Sequence, residues 1–488
     1  MNSTLGLRFS RLPAALGAGL AAALIASCAV GPNYHAPKTP VDGSFANSRE
    51  SGIAQGELVQ RYWTTFGDAT LDALIEDALL RNKDLGVAAA NLQAARAARR
   101  LAGFDQFPTV TLAASYTKQL ESQQQLPGVD LHDREFDAAQ AGFDGLWELD
   151  LFGRVRRNVE AARGDVGASA ATLRDARVSV IAEVARDYFV LRGLQDQLAL
   201  TKRNADNEES SLKLTRNRLE AGRGNELDTS RAEAQWQTTL ATIPTLEATI
   251  ATTIYRLSVL TGRQPTALSD RLGAPLPSPA LPNMVAIGTP EGLLRRRPDI
   301  RIAEQHLAAA TARVGVAMGD LFPKVTLIGD IGYEAPVFSE FGESRARFFA
   351  FGPSISWAAL DMGRVRARIG SAKAQTNAAL SAYEGAVLNA LGDTESSLIS
   401  YSRAQKRLEA LTLAAAASDK ASDLARKRFE GGLIDFLEVL DAERTALSAE
   451  LLLSQGRTDA ATSLIAVYKA LGAGWEVTEP GVPVDTRH

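Results

Sequence analysis

A helical stripe of apolar residues runs through two long segments that contain no proline. Pro is absent from residues 128–243 and 354–479. In the first segment large side chains recur at steps of three and four from Ile181 to Leu198, and the stripe recurs 210 positions later from Leu391 to Leu408. This period predicts laterally packed helices much longer than those of a compact domain. A helix over residues 154–217 would be about 95 Å long.

Four shorter segments, each about ten residues long, alternate between apolar and polar residues. Val110 and Leu112, for example, alternate with Thr109 and Thr111. Together with aromatic residues near the segment ends, this pattern is typical of tilted strands in an outer-membrane barrel, with apolar side chains outward. A soluble hairpin with one buried face is the alternative. We predict strands at about residues 108–118, 135–148, 324–334 and 347–358.

A sheet of four strands has two open edges, and unpaired backbone groups have no partner in lipid. The smallest bacterial barrels have about eight strands, so several chains must contribute to one barrel. Two chains would give eight strands around a filled lumen, whereas three would give twelve strands around a pore. The alternation leaves both possibilities open, although small polar residues on the inner face favour the pore.

The two halves of the chain repeat one another. Phe107-Pro108 recurs 215 positions later as Phe322-Pro323. Gly153-Arg154 recurs as Gly363-Arg364, and the segment from Arg218 to Gly222 recurs from Arg428 to Gly432, both 210 positions later. The length of 488 residues alone suggests roughly three domains. The shared register replaces that estimate with two tandem repeats.

The N-terminus has the pattern of an export signal. Arg8 and Arg11 precede a short apolar stretch from Leu12 to Ala26, and Cys28 follows directly after Ser27. This resembles a bacterial lipobox, in which the cysteine is lipidated and becomes the first residue of the mature chain. An ordinary signal peptide with an incidental cysteine is the alternative. By resemblance to known sorting rules, Ala29 favours the outer membrane, where buried acyl chains would anchor the protein at about 0.8 kcal/mol per CH₂.

Composition by itself is that of an ordinary soluble protein, with 45% hydrophobic and 23% charged residues and a net charge of −4. This balance gives no electrostatic footprint for nucleic acid. A single cysteine and four histidines exclude a disulfide framework and a Cys/His zinc cluster. We find no nucleophile, acid–base or nucleotide motif, so we expect no enzyme activity, no metal and no cofactor beyond the lipid on Cys28.

Taken together, these features resemble the outer-membrane efflux family, the TolC-like channels, and its lipoprotein branch, which includes OprM and NodT. The resemblance covers essentially the whole mature chain. It implies a homotrimer in which a twelve-stranded β-barrel in the outer membrane continues into a long periplasmic α-helical barrel. The motifs that carry it are the lipobox with Gly31-Pro32-Asn33-Tyr34, the segments 63–68, 293–300 and 428–432, and Leu437, Leu440-Asp441-Ala442 and Arg444.

This resemblance orders the chain into consecutive regions. A signal peptide (1–27) and an N-terminal equatorial segment (28–67) precede repeat 1 (68–262). An equatorial linker (263–297), repeat 2 (298–472) and a C-terminal tail (473–488) follow. The long helices are expected at about 154–218 and 226–262 in the first repeat, and at about 364–430 and 434–471 in the second.

The function implied is a passive outer-membrane channel of a tripartite efflux system, conducting drugs or other small molecules. The implied partners are an inner-membrane pump of the RND type, a periplasmic adaptor and the lipid of the outer membrane. The lipobox and the Leu293–Asp299 segment favour this branch. A type I protein-secretion channel is one alternative, and a periplasmic coiled-coil scaffold is another.

The family also implies a gate at the periplasmic end, and the positions that narrow the tunnel match Leu437, Asp441 and Arg444. Spacings of four and three put these residues on one helix face. Around a rotation axis, Asp441 and Arg444 would form charge-assisted bonds between neighbours, with Leu437 as an apolar constriction. An ordinary Asp–Arg pair within one helix is the alternative.

In the first repeat, Asp228, Arg231 and Glu233 occupy the positions equivalent to Glu438, Asp441 and Glu443. Arg231 thus has the opposite sign to its counterpart Asp441. We expect these three residues to form a tie between subunits or between repeats.

The basic run from Arg295 to Arg297 would suggest a nucleic-acid patch in an intracellular protein. The export signal argues strongly against that interpretation, because an exported protein does not meet nucleic acid in the cell. Pro298 and Asp299 fit the start of a helix, and we interpret the run as structural.

Overall fold

The computed structural model describes residues 29–54, 56–282 and 284–476. The expected signal peptide, Cys28 and residues 477–488 of the expected tail lie outside the described residues.

Helices account for most of the described chain, and the two very long ones occupy equivalent positions in the two repeats. The helices are α1 (Ala69–Arg81), α2 (Lys83–Phe104), α3 (Arg154–Glu220), α4 (Glu226–Leu260), α5 (Ser269–Leu272), α6 (Pro290–Arg296), α7 (Pro298–Gly319), α8 (Met362–Glu430) and α9 (Phe436–Ala470). Among the described residues, none of these helices is both long and apolar enough to cross a membrane.

The strands form one four-stranded antiparallel sheet and one short parallel pair. They are β1 (Ile53–Ala54), β2 (Thr109–Leu120), β3 (Glu135–Leu149), β4 (Val285–Ala286), β5 (Lys324–Ala335) and β6 (Arg347–Ser356). The short pair joins β1 to β4, and the sheet order is β2-β3-β5-β6.

Asn82 separates α1 from α2, because its side chain accepts hydrogen bonds from the amides of Asp84 and Leu85 and so caps α2. Two other boundaries differ from those expected. Strand β6 ends at Ser356 and not at 358, and α9 begins at Phe436 and not at 434. Pro244 lies inside α4 without ending it.

The chain divides into two compact units, and each takes matching pieces of both repeats. Unit 1 comprises the described residues up to Lys38 together with 91–169 and 302–384, and unit 2 comprises the rest. The repeats are therefore not the compact units of the protein.

In unit 1 the strand register aligns apolar side chains in rows across all four strands. Leu112 pairs with Phe143, Phe143 with Ile331, and Ile331 with Phe349. These side chains are exposed, Phe349 to 82%. The adjacent row on the opposite face contains Thr111, Asp144 and Asp330, and the Thr111 hydroxyl donates to the Asp144 carboxylate. One face of the sheet carries this apolar row and the other carries the polar row, and no core covers the apolar row in the described chain.

The N-terminal segment of unit 1 is held by a buried arginine at the start of α3. Arg157 donates to the carbonyl oxygens of Val30 and Gly31 at 3.1 and 3.2 Å, and to Asn33 Oδ1 at 2.7 Å. Gly31 has φ +97° and lies so close to Gly315 that a Cβ would meet its Cα at 2.4 Å. A side chain at position 31 would therefore push the segment off α7.

Unit 2 has an apolar core built around the 63–68 motif. Trp63 is fully buried, and Asp68 caps α1 by accepting from the amides of Thr70 and Leu71. The other Asp68 oxygen accepts from the hydroxyl of Tyr188 at 2.6 Å. The predicted stripe lies in this core, with Ile181, Val184, Tyr188 and Leu191 in α3 and Leu398 and Tyr401 in α8 fully buried.

One residue of the basic run is structural, as interpreted from the sequence. Arg297 is buried and donates to the carbonyl oxygens of Ala390 and Ala470 at 3.3 and 2.9 Å. It also pairs with Asp299 at 2.6 Å and with Asp393 at 3.2 Å. Ala470 is the last residue of α9, where carbonyl groups lack partners within the helix. Arg297 therefore ties the end of α9 to α7 and α8.

We expect Arg297→Met to destabilise the protein by about 1–3 kcal/mol, the cost of leaving a buried acceptor without its donor. The measurement is the midpoint of thermal unfolding of the purified protein. Arg295→Met is the matched control, because Arg295 is exposed at the end of α6 and should change stability by less than about 0.5 kcal/mol. Equal shifts in the two variants would contradict the role of Arg297.

Candidate channel gate at the helical hairpin tips

The two hairpin turns have the same backbone conformation. Gly222 and Gly432 have φ values of +65° and +72°. In each turn the glycine amide donates to the carbonyl oxygen three residues earlier, and the next amide donates to the carbonyl oxygen five residues earlier. This arrangement ends a helix in the left-handed region that favours glycine. The repeated sequence thus gives two equivalent turns, at the ends of α3 and α8.

A small apolar core joins the two hairpins behind the turns. Phe429 and Phe436 pack with ring centroids 5.5 Å apart. The Arg218 guanidinium lies 4.0 Å from the centroid of the Phe429 ring and donates to the Phe429 carbonyl oxygen at 2.9 Å. The buried members of this core are Leu212, Ala232, Phe429, Phe436, Val439 and Leu440.

The expected gate residues lie on an exposed face of α9 and outside this core. Leu437 is 52% exposed, and Asp441 and Arg444 are also exposed. In the described chain neither Asp441 nor Arg444 forms an ion pair, so the intrahelical pair considered as an alternative is not present. Their charges are therefore available to groups outside the single chain.

The three expected tie residues of the first hairpin, Asp228, Arg231 and Glu233, differ in their hydrogen-bond and ion-pair partners. Asp228 accepts from the Asn225 side chain at 2.8 Å, in the cap of α4. Glu233 pairs with Arg216 of α3 at 3.4 Å, with both side chains about half exposed. Arg231 is partly exposed and has no ion-pair partner among the described residues. Of the three, only Arg231 has a charge without a partner in the part of the chain that the structure describes.

The structure also reveals a buried polar cluster that the sequence analysis did not single out. Glu443 pairs with Arg426 at 2.7 Å and accepts from the Ser211 hydroxyl at 3.2 Å, which joins α9 to both α8 and α3. Nearby, buried Glu208 accepts from Gln235 at 3.0 Å, and its other oxygen has no hydrogen-bond partner in the described part of the chain. Burial and, to a lesser extent, the negative charge of Glu443 raise the pKa of Glu208.

A signal for part of this cluster was present in the repeat. Arg426 and Glu443 stand 210 positions after Arg216 and Glu233, which form the exposed pair of the first hairpin. The repeated Arg–Glu spacing thus predicts two ion pairs. It does not predict that Glu443 would be buried, because burial depends on the neighbouring hairpin.

An exposed apolar sheet face and two helical hairpins with unused charges at their tips define a class of protein, the outer-membrane channel with a helical extension. The sequence profile described as "Outer membrane efflux protein" matches residues 74–263 and 289–473. The chain belongs to the outer membrane efflux protein family.

The chain is also similar to individual outer-membrane channel and efflux proteins. The solved outer-membrane channel OprN is 42% identical, with a TM-score of 0.85 over 92% of this chain and 100% of that one. The outer membrane protein OprJ of Pseudomonas aeruginosa is 31% identical over 94% of this chain and 96% of OprJ. The toluene efflux pump outer membrane protein TtgI of Pseudomonas putida is 30% identical over 97% of this chain and all of TtgI.

The protein is thus an efflux channel protein of the outer membrane, as the sequence predicted, with the helix-rich fold of TolC-like channels. Its family and relatives are channel proteins and not enzymes.

We expect Glu208→Gln to stabilise the hairpin tips at pH 7. A carboxyl whose pKa is raised in the folded state contributes stability at low pH, and that contribution is lost as the pH rises through the folded-state pKa. Glutamine carries no charge and can still accept from Gln235. Amide hydrogen exchange of residues 205–212, corrected for the intrinsic rate at each pH, should therefore be slower in the variant at pH 7.

The difference between the variant and the native protein should shrink as the pH falls toward 4. Glu209→Gln is the control, because Glu209 pairs with Lys213 on the surface. A stabilisation that persisted unchanged at pH 4 would show that the charge of Glu208 is not its cause.

Proposed function

We propose that three copies of this chain form one passive conduit, in which a twelve-stranded barrel in the outer membrane continues into a periplasmic barrel of helices. The open sheet carries this proposal. Its edge strands, β2 and β6, each pair on one side only. The apolar face would contact lipid, and the edges would pair with those of neighbouring copies.

The small residues of the sheet favour three copies over two. Gly142 pairs with Gly332, and the polar face also carries Thr111, Asp144 and Asp330. An eight-stranded barrel needs bulky side chains to fill its interior, whereas a twelve-stranded one leaves space between small polar side chains. This favours a water-filled pore.

The conduit is proposed to work with a periplasmic adaptor and an inner-membrane pump of the RND type. TtgI is the outer membrane protein of a toluene efflux pump, and the similarity extends along its whole length. By that analogy the adaptor would dock at the hairpin tips, where charged side chains are exposed. We propose drugs or other small molecules as substrates.

At the periplasmic end, Leu437, Asp441 and Arg444 are proposed to close the tunnel. All three are exposed on one face of α9, and the two charges have no ion-pair partner in the described chain. In a trimer, Asp441 of one copy would pair with Arg444 or Arg231 of the next. Asp228 would support this tie indirectly by accepting from the side chain of Asn225, the N-cap residue of α4, and Glu233 by holding α4 against α3.

The experiment is the current through the purified full-length protein in planar lipid bilayers. We expect Asp441→Ala combined with Arg444→Ala to raise single-channel conductance severalfold, because two charges that close the entrance are removed. Lys202→Ala with Glu247→Ala is the matched control, since it removes an exposed acid–base pair that links α3 to α4.

Unchanged conductance in the Asp441/Arg444 variant would remove the gate from the proposal. The assembly itself is tested on the native protein, which should run as a heat-modifiable trimer from outer-membrane fractions. Absence of both trimer and conductance would favour a coiled-coil scaffold. Export of a folded or unfolded polypeptide and not of small molecules would favour a type I secretion channel.

Cys28 is proposed to carry the lipid anchor, a site outside the described residues. Cys28→Ala should abolish the incorporation of a labelled fatty acid in growing cells, because no other cysteine is present. Ser27→Ala keeps the cysteine and should retain the label. Label that persisted in Cys28→Ala would contradict lipidation at this position.

A further inference from the structure

Two residues of the basic run, together with two further arginines, line a small cavity in unit 2. The cavity has a volume of about 360 Å³. Arg174 comes from α3, Arg295 and Arg296 from the end of α6, and Arg301 from the first turn of α7. The remaining wall includes Pro298 and Trp475.

The break at Pro298 explains how one run of arginines serves two purposes. Arg297 is buried among carbonyl groups and carboxylates, as described above. The residues on either side of it line the cavity, because α6 ends at Arg296 and α7 begins at Pro298. The structure supports the structural interpretation for Arg297, whereas Arg295 and Arg296 line the cavity.

The cavity brings positive charge together with an aromatic ring. The Arg174 guanidinium lies 4.8 Å from the centroid of the Trp475 ring. Burial, and then the positive charges of Arg301 and Arg177, lower the pKa of Arg174. Arg174 therefore lies close to two other positively charged side chains.

Two other features point to an acceptor. The indole nitrogen of Trp475 is buried and has no hydrogen-bond partner in the described part of the chain. The ion pair recorded for Arg295 joins it to Glu291 at 2.5 Å, with both side chains largely exposed. Glu291 is not among the residues that line the cavity.

We propose that this arginine cavity binds a phosphate-type oxyanion. Guanidinium groups present planar forks of N–H donors that match phosphate oxygens in pairs. A phosphate group has enough oxygens to accept from several arginines and from the Trp475 indole at once, whereas a single carboxylate has two. The volume suits inorganic phosphate or pyrophosphate and is too small for a polymer. The proposal does not depend on the conductance of the channel.

The test is calorimetric titration of the full-length protein in detergent with inorganic pyrophosphate at constant ionic strength. We expect saturable binding that is weakened at least tenfold in Arg174→Gln with Arg301→Gln. The matched control, Arg99→Gln with Arg271→Gln, removes two exposed arginines elsewhere and should change the affinity less than twofold.

A second variant keeps the charge and guards against loss of folding. Arg174→Lys with Arg301→Lys retains both positive charges but loses the forks, and should bind pyrophosphate severalfold more weakly than the native protein. Absence of saturable binding to the native protein, or equal weakening in the control, would overturn the proposal. A third result would also overturn it. If the native protein binds no pyrophosphate and the Gln variant, unlike the native protein, loses its oligomeric state, the arginines hold carboxylates of a second copy.

Discussion

The unpaired backbone groups along β2 and β6 are the constraint on which the rest of the structure depends. The hydrocarbon of a membrane offers no hydrogen bonds, so a sheet with two free edges is stable there only when copies join edge to edge. Strand β3 leads into α3 and β6 leads into α8 within a few residues. Any joining of sheets would therefore bring long helices together in the same order. In the proposed barrel, the repeat would double the number of strands and helices that each chain contributes and so reduce the number of copies needed for closure.

The hairpin tips show how equivalent sequences acquire different roles. Both turns use a glycine with positive φ, and both hairpins contain an Arg–Glu pair at the same spacing. The pair in the second hairpin is drawn inward and meets Ser211, whereas the pair in the first stays in water. A buried carboxylate such as that of Glu443 is costly to leave without its partner, so the pair with Arg426 fixes how α8 and α9 pack here. Asp441, Arg444 and Arg231 form no ion pair among the described residues.

Much of this fold could be predicted from periodicity. The strands alternate because one face is apolar, and the long helices repeat at 3.6 residues because one stripe is buried, so local pattern reveals both. The break at Asn82 is not visible in the period, since the helical pattern continues across it and only the capping side chain marks the start of a new helix. The burial of Glu443 and Glu208 was also beyond the pattern, because it is set by side chains from another hairpin. The division of roles among Arg295, Arg296 and Arg297 depends on how two helices meet at Pro298, which residue types alone do not specify.

The hydrogen bonds from Arg157 to residues 30–33 have a consequence for the membrane anchor. Val30 stands two positions after Cys28, and an extended chain spans about 7 Å at most over two positions. If Cys28 carries acyl chains, their point of attachment lies within that distance of Val30, which Arg157 holds at the start of α3. The anchor would then do more than keep the protein at the membrane surface. It would also set how deeply the sheet enters the bilayer.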